Sequence, residues 1–66
     1  MKNKIRKVIN DNNLKVKEII RQASVSKSYF YDVMNGKTVP SVEKANDISK
    51  ALNTTIQELF FSEEEI

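Results

Sequence analysis

The stretch from Val16 to Gly36, VKEIIRQASVSKSYFYDVMNG, constrains this chain more than any other part of it. Val16, Ile19, Ile20 and Ala23 recur at helical spacing, and so do Phe30, Val33 and Met34. Only a few residues separate the two runs, so two short amphipathic helices must meet at a tight turn. Ser26 is a good N-cap for the second of them. Asn35-Gly36 stops it, with Gly36 free to adopt the left-handed conformation. The second helix is predicted to open with Lys27, Ser28, Tyr29, Tyr31 and Asp32 on its exposed face.

The rest of the chain reads as three more helices. One spans roughly Lys2 to Asn12, with Ile5, Val8 and Ile9 on one face, and Leu14 drops into the core after it. Pro40 closes a connecting loop and Ser41 caps the next helix, about Val42 to Leu52, whose stripe is Val42, Ala45, Ile48, Ser49 and Leu52. The last begins at Thr54 or Thr55, where Thr55-x-x-Glu58 forms a capping box ahead of Ile56, Leu59 and Phe60. No alternating strand pattern, repeat or linker interrupts this order. The reading is one all-α, five-helix domain over residues 1–61, followed by an acidic tail over residues 62–66.

Composition removes several chemistries. The 66 residues include no cysteine and no histidine, so disulfides, thiolate ligands and the commonest general base are absent. The scattered carboxylates Asp11, Glu18, Asp32, Glu43, Asp47 and Glu58 fall on different elements with no apolar cleft implied, which fits capping or solvated roles better than catalysis. Gly36-Lys37-Thr38 resembles the tail of a phosphate-binding loop, but Tyr31 occupies the place of the earlier glycine and the segment follows a helix instead of a strand. No enzyme activity, cofactor, metal or small-molecule substrate is expected. The N-terminus is charged, with no continuous apolar run, so neither a signal peptide nor a membrane span is expected and the protein should reside in the cytoplasm.

Charge is unevenly spread. Residues 1–37 carry nine Lys/Arg against three Asp/Glu, and residues 38–66 carry two against six. A basic half and an acidic half suit a polyanion on one side only. Two helices joined by a tight turn, the second presenting polar side chains, are the layout of a helix-turn-helix, whose second helix enters the major groove of DNA. Lys27 can donate to guanine O6 and N7, and Ser28 can pair with several base edges. Asp32 can accept from cytosine N4, provided that it points into the groove or forms a local ion pair. Lys17, Lys37 and the N-terminal Lys2, Lys4, Arg6 and Lys7 would make the phosphate contacts that set register.

The carrying residues resemble those of the phage repressor and Cro type of helix-turn-helix domain, also called the lambda-repressor-like or xenobiotic-response-element family. They are Val25-Ser26-Lys27-Ser28, Phe30, Val33, Asn35-Gly36-Lys37, Pro40-Ser41 and the exit Ala51-Leu52-Asn53 to Glu58-Leu59-Phe60, and they cover about residues 4 to 61. The resemblance implies a double-stranded DNA partner, with Lys27, Ser28 and Asp32 where the family reads base edges and Ser26 among the DNA-binding residues. It puts Tyr29 and Tyr31 beside them, within reach of sugar, phosphate or a thymine methyl, and Lys17, Lys37 and Thr38 at phosphate-clamping positions. It also implies a transcriptional repressor acting as a homodimer on a pseudo-palindromic operator, with Phe61 and Ile66 as part of a dimer interface.

The chain departs from that family at several points. Lys15 and Val16 stand where Ser or Thr and then Gln are usual, Ile20 where a small residue is usual, and Ala23 where a large one is. Ile20 and Phe30 are read as redistributing the packing between the helices. Ser24 replaces the turn glycine at a position that often needs positive φ, and Met34 replaces a frequent Glu. The loss of Gln and Ser, with acidic Asp32, favours a second reading: a protein-interaction module of the same fold, such as an antitoxin or anti-repressor, that presents its third or fifth helix to another protein.

Overall fold

The structure is a computed structural model that describes residues 3–61. Its helices are α1 (Ile5–Asp11), α2 (Val16–Ala23), α3 (Lys27–Met34), α4 (Val42–Ala51) and α5 (Ile56–Phe60), in the expected order, and no strand occurs among the described residues. No helix among them is long and apolar enough to cross a membrane. The acidic tail and Ile66, and Lys2 at the other end, lie outside the described residues.

Hydroxyl caps start three of the helices as their sequences require. Ser26 Oγ accepts from the Tyr29 N–H at 3.0 Å, Ser41 Oγ from the Lys44 N–H at 3.2 Å, and Thr55 Oγ1 from the Glu58 N–H at 3.1 Å. Each satisfies a donor that the first helical turn leaves without an internal partner. α1 starts later than the expected Lys2. The Asn3 side chain accepts the Ile5 N–H at 3.1 Å, and the Lys4 N–H donates to the Leu59 carbonyl at 2.9 Å, so the chain ahead of Ile5 is tied to α5 instead of winding into α1.

Four helices end in one way. A left-handed residue follows each: Asn13 (φ 54°), Ser24 (φ 57°), Gly36 (φ 79°) and Asn53 (φ 60°). Behind each, two N–H groups turn back onto the last carbonyls, as in Lys37 to Asp32 at 2.8 Å and Gly36 to Val33 at 3.1 Å. This paired pattern is the Schellman motif, which satisfies the exposed carbonyls and reverses the chain in two residues. After α1 and α2 it delivers Leu14 and Val25 onto the core, where both pack half-buried.

One core holds the helices together. Ile5 and Ile9 of α1, Ile19 and Ala23 of α2, Phe30, Val33 and Met34 of α3, Ala45 and Ile48 of α4, and Leu59 and Phe60 of α5 are buried, with Leu52 beside them. α4 packs chiefly across α2. Met34, where the family pattern has Glu, therefore belongs to the core. Ser49 is the one buried polar residue among those described, and its hydroxyl donates to the Ala45 carbonyl at 2.8 Å. That bond within α4 removes the cost of burying a hydroxyl.

Several apolar residues sit further out than their periodicity predicts. Val8, Val16, Ile20 and Ile56 are half-buried against the core. Ile20 thus stays near the surface while Phe30 is fully enclosed, so it is Phe30 that fills the interior. Val42 is 79% exposed. It is the first residue of α4, where the buried stripe of Ala45, Ile48 and Ser49 has not yet begun.

Candidate nucleic-acid interface

The turn Ser24-Val25-Ser26 sets α3 against α2. The left-handed Ser24 reverses the chain, Val25 anchors it on the core and Ser26 starts α3. The buried edge of α3 is Phe30, Val33 and Met34, which leaves Lys27 and Ser28 exposed on its first turn. Ser26 is also exposed, and its oxygen already accepts the Tyr29 N–H, so toward a ligand the hydroxyl has its proton to donate.

Tyr29 and Tyr31 do not stand free as expected. Both are half-buried and pack against the core, because they flank Phe30 on a helix whose apolar stripe is wider than three residues. The Tyr31 ring meets Phe30 edge to face, with centroids 6.0 Å apart and planes at 84°. Such a contact is a favoured aromatic geometry, worth about 0.5–1.5 kcal/mol beyond the area it buries. Asp32 is half-buried as well, and the ion pairs among the described residues, Lys7–Asp11 and Glu18–Arg21, do not include it.

Lys17 stands at the start of α2 and Lys27 at the start of α3, and both border one notch of about 410 Å³ with Val16, Ile20 and Tyr31. Two exposed lysines and the positive ends of two helix dipoles therefore converge on one face. Past α3, the turn at Gly36 carries exposed Lys37 and half-buried Thr38. The structure so brings Lys17 and Lys27 together beside Tyr31, and sets Lys37 and Thr38 at the other end of the same helix.

The N-terminal basic residues behave differently. Lys4 is half-buried, and exposed Lys7 pairs with Asp11 at 2.9 Å. Arg6 Nη2 donates to Asn35 Oδ1 at 2.6 Å, and Asn3 Nδ2 donates to the Val33 carbonyl at 2.8 Å. Both bonds brace the end of α3 from residues about thirty positions away, a relation no local pattern in the sequence can report. Periodicity alone puts Val16 and Ile20 in the core; only their departure from the family pattern marks them out from the other apolar residues of α2.

The family model of the Cro/C1-type HTH DNA-binding domain matches residues 4–64. The chain belongs to the Cro/C1-type HTH DNA-binding domain family. No curated protein matches it as a relative. As a Cro/C1-type domain it is a DNA-binding regulator, with α2 and α3 as its helix-turn-helix. Its fold is the lambda-repressor-like bundle of five helices.

Proposed function

We propose that this Cro/C1-type domain is a transcriptional repressor that binds a pseudo-palindromic operator as a homodimer in the cytoplasm. Residues 1–61 form the DNA-binding unit, and the acidic residues 62–66 make no contact with the duplex. The observation that carries the reading is the convergence of Lys17 and Lys27 with the exposed first turn of α3. Lys27, Ser28 and Asp32 read base edges and Ser26 donates from its hydroxyl. Tyr29 and Tyr31 lie along sugar and base methyls, and Lys17, Lys37 and Thr38 hold phosphates. A body of this size seated in the major groove excludes polymerase by its bulk, so repression needs no further surface.

A second copy is the partner that a separate, apolar surface suits. The large exposed apolar residues Val39, Val42 and Phe61 line one apolar groove of about 260 Å³, next in sequence to the Lys37-Thr38 phosphate loop. Glu43 and Lys50 are both exposed on α4, seven residues apart and therefore on one side of it. Two α4 helices packed antiparallel about a two-fold axis would set each Glu43 opposite the other copy's Lys50, the self-complementarity that such an axis demands. Three side chains are few for a stable interface of about 800 Å² per partner, so the dimer assembles on DNA. Half-site centres then lie about one helical turn apart, roughly 34 Å.

Size-exclusion chromatography with light scattering, on a palindromic duplex, tests the assembly. Two copies per duplex are expected, falling to one in a Val42→Ser, Phe61→Ser variant; a persistent one-to-one complex of the unaltered protein would refute it. Titrating salt from about 50 to 200 mM tests the partner, since affinity carried by phosphate contacts must fall steeply. Indifference to salt would instead favour the protein-interaction module.

A further inference from the structure

The notch between α2 and α3 has a floor that phosphate contacts do not explain. Val16 and Ile20 are one turn apart on the same side of α2, half-buried, and exposed enough to line the opening. Tyr31 lines the notch from α3, its ring packed edge to face on Phe30. Lys17 and Lys27, both exposed, stand at the rim. The result is an apolar recess inside a cationic border. The border selects a polyanion, and the recess needs an apolar group carried on it. In the major groove of DNA that group is the C5-methyl of thymine, the apolar feature among otherwise polar base edges.

We infer that Val16, Ile20 and Tyr31 form a thymine-methyl site, with Lys27 donating to a guanine beside that thymine and Lys17 on the adjoining phosphate. The inference rests on the DNA-binding reading and adds a specificity to it. It also gives a reason for two departures from the family pattern. Val16 cannot make the hydrogen bond of a glutamine, and Ile20 is larger than the usual small residue, yet together they supply the apolar floor. The site trades a polar contact for a methyl contact.

The test begins with duplexes selected by the protein from a random pool. Each thymine of the selected half-site is replaced in turn by deoxyuridine, which deletes the methyl and keeps every hydrogen-bonding group. One position per half-site, next to a guanine, should weaken binding about fourfold, the value of one buried methyl-sized group. In a Val16→Gln variant the thymine and uracil duplexes should bind alike. In Lys37→Ala both should weaken while their ratio stays near fourfold. Equal affinity of the unaltered protein for thymine and uracil at every position would overturn the inference and leave the DNA-binding reading intact. So would a ratio that survives in both Val16→Gln and Ile20→Ala. Failure to bind any duplex would overturn both readings. The first comparison uses the unaltered protein, so it stands even if a variant fails to fold.

Discussion

Ser24 stands in the left-handed region at φ 57°, ψ 45°, in the turn that joins the two helices of the DNA-binding motif. A residue with a Cβ pays about 1–2 kcal/mol there, from the clash with the following carbonyl. Ser24→Gly removes that strain. Glycine gains more freedom in the unfolded chain, which returns about 0.4–1 kcal/mol. The net should be a stabilisation of about 0.5–1 kcal/mol. For a domain of this size that is a rise in Tm of about 2–8 °C. With a urea m-value near 1 kcal/mol/M, it is also a shift in midpoint of about 0.5–1 M. Far-UV circular dichroism measures the first during heating and the second during urea unfolding, and an unchanged m-value licenses the comparison. Asn13→Gly and Asn53→Gly are the internal controls. They occupy the same conformation at φ 54° and φ 60°, but asparagine tolerates it better, so their gains should be smaller. Because the turn keeps its shape, operator affinity should not change. The reasoning fails if Ser24→Gly leaves the midpoint where it was or lowers it, or if Ser24→Ala stabilises as much.

Phe30 is fully enclosed, so Phe30→Ala should cost about 3–5 kcal/mol, most of the roughly 3–10 kcal/mol available to a chain this long. The variant should lose most of its helical circular dichroism at 37 °C, and a cooperative transition at the original Tm would contradict the packing described above. Ser26→Ala removes the oxygen that caps α3 and should lower unfolding free energy by about 1 kcal/mol; no change in urea midpoint would mean that the bond to Tyr29 is not made in solution. Lys27→Ala should cost about 1–3 kcal/mol and relax sequence preference, whereas Lys37→Ala should weaken all duplexes alike and reduce the salt slope by about one. Competition binding against scrambled duplexes separates these effects, and identical behaviour of the two variants would refute the division of roles.

Much of this molecule was legible because its signals are local. Ser26, Ser41 and Thr55 each precede an apolar run, and a hydroxyl that takes an N–H three residues on does so whatever packs nearby. Gly36 announces positive φ through its place after a helical run, Ser24 only through the turn glycine that it replaces in the family pattern, and both adopt it. The same turn chemistry at Asn13 and Asn53 is not legible in the sequence, because asparagine signals a stop without signalling how the chain leaves. α1 starts later than its periodicity predicts because Asn3 and Lys4 make bonds to α1 and to α5 that outweigh helix propensity at those positions.

What the sequence alone determined is the number and order of helices, the helix-turn-helix and the polar first turn of α3, since each follows from periodicity and capping within a few residues. The tertiary structure decided how deep each side chain lies. Val42 lies on the apolar stripe of α4 by periodicity yet is left exposed, and Tyr31 is half-buried with its ring packed edge to face on Phe30. The notch arises in the same way. Val16, Ile20, Lys17, Lys27 and Tyr31 belong to two helices, and only the packing of α3 beside α2 makes them one surface. Burial is a property of neighbours, and neighbours distant along the chain are fixed by packing, which no local pattern encodes.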